Sequence, residues 1–185
     1  MQASRDHLIL SEDPEDRQIL NRLAQAQRKQ HGNLVGTGVR VGKERIYRGD
    51  RVRLGETSST YGIVKGTFGE VRHIDPVTKV AAIRLDSGKH KLANLRHYKG
   101  MELGYCILET QAREVETRYA YVLSRGLYGR QGAALQLSRA KVETHLNTYQ
   151  LEREEEAMVE LARKMSREKH RDFARVVERE GLERE

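Results

Sequence analysis

The chain has no tryptophan, only two phenylalanines and a single cysteine among its 185 residues. Phe68 and Phe173 alone argue against a broad aromatic platform for stacked bases, although eight tyrosines and the backbone remain for nucleic-acid contact. One cysteine, Cys106, supports neither an intramolecular disulfide nor a cysteine-rich zinc site, a usage that fits a reducing cytoplasm. No run approaches the roughly 20 apolar residues that a membrane-crossing helix needs. The first residues, MQASRDHLILSEDPED, offer only Leu8-Ile9-Leu10 before turning acidic, too little for a signal peptide. The expectation is a soluble, cytoplasmic chain with no membrane partner.

Catalytic signatures are missing as well. A phosphate-binding loop requires G-x-x-x-x-G-K followed by Ser or Thr, so that backbone N–H groups cradle phosphates and the hydroxyl holds magnesium. The nearest approach, Gly38-Val39-Arg40-Val41-Gly42-Lys43-Glu44, has its first glycine one residue too close and a carboxylate in place of the hydroxyl. A turn between two strands suits it better. The histidines at 7, 31, 73, 90, 97, 145 and 170 include no i, i+4 ligand pair, and no serine lies in a G-x-S-x-G elbow. Glu114 and Glu116, and the run Glu154-Glu155-Glu156, sit in charge-rich stretches that read as solvated. No metal site and no intact catalytic constellation are expected.

What the chain does have is charge. One third of it is charged, and a net charge of +7 with a pI near 9.6 favours a polyanionic partner, the alternative being a basic protein with no special partner. Residues 7–10 suit a buried strand. Asp13 then caps a helix with Pro14 at its first position and Glu15 and Asp16 in its first turn; Ile19, Leu20, Leu23 and Ala26 form its apolar stripe and Gly32 stops it. From Val39 to Leu95 the pattern changes to short alternating pieces with glycine turns: 39–41, 44–47, 51–54, 69–74, 80–85 and 89–92. Such a series predicts a small SH3-like barrel. Leu103–Leu108 and Tyr119–Leu123 read as strands, Gly132–Lys141 as a helix and Val142–Leu146 as a final strand. Beyond Leu151 the residues are dense in Glu, Arg and Lys, a solvated helix with a narrow apolar stripe or a partly disordered tail.

Several pieces in a fixed order are more specific than composition. They are Leu20-Asn21-Arg22-Leu23-Ala24-Gln25, then Gly49-Asp50-Arg51-Val52, Gly62 to Val71, Leu103-Gly104-Tyr105, and Ala134-Leu135-Gln136-Leu137-Ser138-Arg139-Ala140-Lys141. Over roughly residues 7–150 the chain resembles the C-terminal half of superfamily 1 DNA helicases of the RecD type, above all those fused to conjugative relaxases. The resemblance implies an α/β fold: a partial, second RecA-like lobe of P-loop NTPase type, an inserted SH3-like barrel and a charged helical C-terminal tail. The corresponding segments are 1–38 and 99–150 for the lobe, 39–98 for the barrel and 151–185 for the tail.

The resemblance also implies roles. Arg139 falls where the family places an arginine finger that reaches the γ-phosphate; its alternative is a surface residue of a helix or a salt-bridge partner. Departures are visible too. Leu108, Gln111, Arg113 and Glu114 stand where the family carries Thr, Lys, Gln and Gly, residues that couple nucleotide to single-stranded DNA, and Gly55-Glu56-Thr57 replaces a basic barrel loop. Arg51, Arg53, Lys65, Arg72, Lys89 and Tyr105 are the expected DNA contacts, mainly to phosphates, with single strands favoured. No cofactor is expected on this chain alone; ATP and Mg would come only with a partner protein carrying a P-loop. The two readings are a helicase-lobe fragment and a stand-alone, non-enzymatic module that binds nucleic acid or protein.

Overall fold

The computed structural model describes residues 6–112, 115–124 and 140–148, together with Val159. The described strands form three sheets, and helix α1 packs on the parallel one. Strands β1 (His7–Ser11), β9 (Cys106–Leu108), β10 (Thr117–Ser124) and β11 (Ala140–Thr148) form a four-stranded parallel sheet in the order β11-β10-β1-β9. One of its two inner strands, β1, carries the apolar run Leu8-Ile9-Leu10, buried on both faces as parallel strands are.

Helix α1 (Pro14–Gln30) follows β1, as its sequence signals predict. The Asp13 carboxylate accepts the Glu15 N–H at 2.6 Å, Pro14 opens the first turn, and the helix closes at His31 with Gly32 beyond it. Leu20 and Ala24 pack wholly into the core, whereas Ile19, also expected on the stripe, is 40% exposed.

Between α1 and β9 the chain builds its antiparallel part. Strands β2 (Val35–Val41) and β3 (Glu44–Arg48) pair as a hairpin. Strands β4 (Arg51–Leu54), β5 (Phe68–Ile74), β6 (Val80–Leu85), β7 (His90–Asn94) and β8 (Met101–Leu103) form a five-stranded sheet ordered β7-β6-β5-β4-β8. The hairpin packs on this sheet through β3, which meets β5 and β8. Val39, Val41 and Ile46 thereby join Val52, Leu54, Val71, Ala81, Ile83 and Leu103 in one core with Ile9, Leu20 and Ala24.

The stretch Leu103–Leu108 is not one strand. Met101–Leu103 pairs with β4 in the antiparallel sheet, Cys106–Leu108 pairs with β1 in the parallel sheet, and Gly104-Tyr105 carry the chain from one to the other. The helix expected over Gly132–Lys141 lies outside the described residues except for Ala140 and Lys141, and these two open β11. The segment 151–185 lies outside them apart from Val159, and no described helix is long and apolar enough to cross a membrane.

Candidate nucleic-acid interface

A buried polar junction holds the parallel sheet, the five-stranded sheet and α1 together. Asp50, fully buried in the turn between β3 and β4, accepts the Tyr47 N–H and the Gln25 carboxamide on one oxygen, each at 2.7 Å. Its other oxygen accepts the Tyr105 hydroxyl at 2.6 Å, and that hydroxyl accepts the Arg51 N–H at 3.2 Å. Burial pushes the Asp50 carboxyl up to about 6 although all three donors favour its anion, and burial with the adjacent carboxylate pushes the Tyr105 phenol well up. One turn earlier on α1, Asn21 receives the Tyr105 and Cys106 N–H groups at 3.0 Å each and donates to the Cys106 carbonyl at 2.8 Å. The link between the sheets is thus hydrogen-bonded on several sides: the Tyr105 N–H to Asn21 of the helix, the Gly104 N–H to the Arg51 carbonyl and the Tyr105 carbonyl from the Ile9 N–H.

The expected DNA contacts divide between interior and surface. Tyr105 has no exposed surface, so it serves the junction and presents no face to a ligand. Arg51 and Arg53 are 5% and 6% exposed. Arg51 binds both oxygens of Asp86 in the β6–β7 turn, at 2.5 and 2.6 Å, and lies over the Phe68 ring. Arg53 meets Glu102 at 2.5 Å, and the other oxygen of Glu102 takes Arg17 at 2.9 Å. The placement of these two arginines on an open DNA-facing surface is therefore corrected: β4 lies between β5 and β8 with both faces covered, so its alternation marks two buried faces. Arg72 is half exposed and paired with Glu70, which also draws Arg84. Lys65 and Lys89 are exposed, at the end of the sheet where β5 begins and β6 ends. Arg139 and the Arg113-Glu114 pair lie outside the described residues, while Gln111 turns its carboxamide back onto the Leu108 N–H at 3.1 Å.

Two features escaped the sequence reading. The first is the outer face of the β2–β3 hairpin, where Arg40 stands directly opposite Arg45 and both are exposed. The strand alternation was legible there; the inward turn of the sole acid, Glu44, was not. The second is a row of stacked rings across the parallel sheet: Tyr119, His7, Tyr121 and His145, with centroids 4.9 to 5.9 Å apart. Burial lowers the His7 imidazole and, with Glu143 and Tyr119 nearby, raises the Tyr121 phenol to about 12. Among the described residues no three His, Cys, Asp or Glu side chains converge as a metal site.

The glycine-flanked segment Gly38–Glu44 is the β2–β3 hairpin, with Gly42 at φ 58° in its turn. A phosphate cradle needs a strand, a loop and a helix. Glu44, at the position a magnesium-binding hydroxyl would take, accepts the Leu103 N–H at 2.6 Å, and burial raises its carboxyl. This segment does not fit a nucleotide phosphate.

No family profile and no curated protein matches the chain. Solved structures do. The chain is similar to Pif1 helicase from Bacteroides in complex with ADP-AlF3 and ssDNA, with a TM-score of 0.58 and 11% identity over 77% of this chain and 40% of that one. It is similar to Bacteroides Pif1 bound to ssDNA, with a TM-score of 0.59 and 13% identity over 89% and 46% of the two chains. Pif1 helicase from Candida albicans gives 0.54 and 12%, over 81% and 47%. The chain thus spans less than half the length of each. At these identities the likeness is one of fold alone: a mixed α/β arrangement whose parallel sheet resembles part of the Pif1 structures.

Proposed function

We propose that this chain is a helicase-lobe fragment of the RecD type, of the kind joined to conjugative relaxases, that binds DNA without sequence preference. The observation that carries the reading is topological. The parallel sheet of a RecA-like lobe is interrupted between α1 and β9 by an antiparallel insertion, in the segment where the motif order places an SH3-like barrel. The fold likeness to two DNA-bound Pif1 structures supports DNA as the partner, single strands first. Lys65 and Lys89 at one end of the insertion, with Arg72 along β5, supply phosphate contacts that neutralise charge without reading bases.

ATP and Mg would be held by a partner carrying a phosphate-binding loop, and Arg139 would then reach the γ-phosphate across the shared cleft. The isolated chain is expected to turn over no ATP, and the working compartment is the cytoplasm. Steady-state phosphate release with single-stranded DNA tests this: DNA-stimulated turnover by the purified chain would overturn it. Fluorescence anisotropy with labelled single-stranded and duplex DNA across a salt series tests the binding. Log K falling with log salt by about 0.7 per phosphate contact supports it on single strands, and no binding at low salt refutes it.

The second reading is a stand-alone binding module that keeps the fold without motor function. The three-residue β9 and the inward-turned Gln111, at the position of the family's lysine, favour it. Mutation of Arg139 separates the two, since activation of a partner ATPase requires that guanidinium and simple binding does not.

A further inference from the structure

We propose that the outer face of the β2–β3 hairpin is a second contact surface for single-stranded nucleic acid, gripping phosphates with Arg40 and Arg45 and offering Tyr47 to a base or sugar. The inference rests on the DNA-binding reading above and assigns part of that binding to residues outside the five-stranded sheet.

The first argument is electrostatic. From Val35 to Arg48 the hairpin carries Arg40, Lys43, Arg45 and Arg48 against the single acid Glu44, whose carboxylate faces inward to the Leu103 N–H. Arg40 and Arg45 are cross-strand partners, and like charges placed so are destabilising. Among the described residues neither forms an ion pair. Arg51 and Arg53 show what structural arginines do in this fold: each has its carboxylate. A bound polyanion would relieve the Arg40–Arg45 repulsion.

The second argument is geometric. Arg45 donates to the Thr37 carbonyl at 3.0 Å and Arg40 to the Gly42 carbonyl at 3.3 Å. These neutral tethers hold the guanidiniums in place and use only one of five donors on each, leaving the rest for phosphate oxygens.

The third argument selects the partner. On the same face, the half-buried Tyr47 ring lies against Gly38, where an added Cβ would stand 2.8 Å from the ring. Lys29, from the last turn of α1, sits 4.7 Å from the ring centroid. A face that alternates cations with an aromatic ring offers phosphate pairing and stacking together, the combination used by single-strand binders. An acidic protein segment would use the cations and leave the ring idle.

The test uses the full chain, a fluorescein-labelled oligothymidylate and anisotropy across a salt series. R40Q/R45Q is expected to weaken binding roughly tenfold or more at low salt and to reduce the salt slope by about 1.4, two contacts of about 0.7 each. Y47L is expected to weaken it about fivefold or more with an unchanged slope. If R40Q/R45Q keeps the wild-type affinity and slope while K65Q/K89Q loses binding, the hairpin proposal is overturned and the DNA-binding reading stands. If only the hairpin variant loses binding, the hairpin stands and the lysine end of the sheet is not the DNA surface. If the wild-type chain binds no oligothymidylate, both fall. Displacement of the oligothymidylate by polyglutamate at equal charge concentration would overturn the choice of nucleic acid over an acidic protein.

Discussion

Two pairs of arginines, one strand apart in sequence, meet opposite fates. Arg51 and Arg53 alternate with Val52 and Leu54 on β4, and all four residues are buried. Arg40 and Arg45 alternate with Val39, Val41 and Ile46 on the hairpin, and the arginines face out. Strand periodicity is the same in both; what differs is what covers the second face. β4 is an inner strand flanked by β5 and β8, and its polar face meets Asp86 and Glu102. On the hairpin's outer face Lys29 of α1 reaches Tyr47, while Arg40 and Arg45 stay exposed. A basic residue in a strand therefore reports a ligand surface only when no acid from another element can reach it, and those acids lie 35 to 49 residues away in sequence.

The comparison can be broken most forcefully at Arg53. Arg53→Ala would strand the Glu102 carboxylate with Arg17 alone, and a urea titration should show a loss of about 3 kcal/mol. A loss under about 0.5 kcal/mol would mean that Arg53 is no more structural than a surface cation.

Slightly smaller is the effect of the junction on pH. Folding raises the Asp50 carboxyl from 3.8 to about 6, so the folded protein takes up the proton first. Stability from this group is full below the unfolded value and is lost as pH rises through about 6, a swing of about 2–3 kcal/mol. The difference in stability between wild type and Asp50→Asn, measured at pH 4 and pH 7, should show that swing; a flat difference refutes it.

Gly38→Ala comes next. With φ at 66° and the Tyr47 ring in the way, it should cost about 1–2 kcal/mol and displace the ring, read as a change in tyrosine fluorescence. Last, R40Q/R45Q should leave stability within about 0.5 kcal/mol or raise it slightly, because it removes a like-charge pair.

Local chemistry made much of the fold legible. The Asp13-Pro14 start of α1, the apolar β1, the Gly42-Lys43 turn and the Asp86-Ser87-Gly88 turn each carry their instruction within a few residues. Leu103–Leu108 was harder, because a six-residue apolar stretch carries no mark of a change of sheet; the groups that fix Tyr105 and Cys106, the Asn21 carboxamide and the Asp50 carboxylate, lie far off in sequence. The site was the least legible part. Tyr105 belongs to a motif in which an aromatic at the surface and one in a junction look alike, and its role depends on Asp50, 55 residues earlier.

The insertion between α1 and β9 has a kinetic consequence. In the parallel sheet Ile9 meets Cys106 and His7 meets Tyr119, so about a hundred residues separate β1 from each of its two neighbours, a costly loop to close in an unfolded chain. The antiparallel strands β4 to β7 pair in sequence order, β5 to β7 through short turns, so their contacts are local ones of the kind that form early. β8 then pairs with β4 and, through Gly104 and Tyr105, brings Cys106 beside α1. Formed first, the insertion would hold the two ends of that long loop close together, as a clasp does, and so lower the entropy cost of closing the sheet it interrupts.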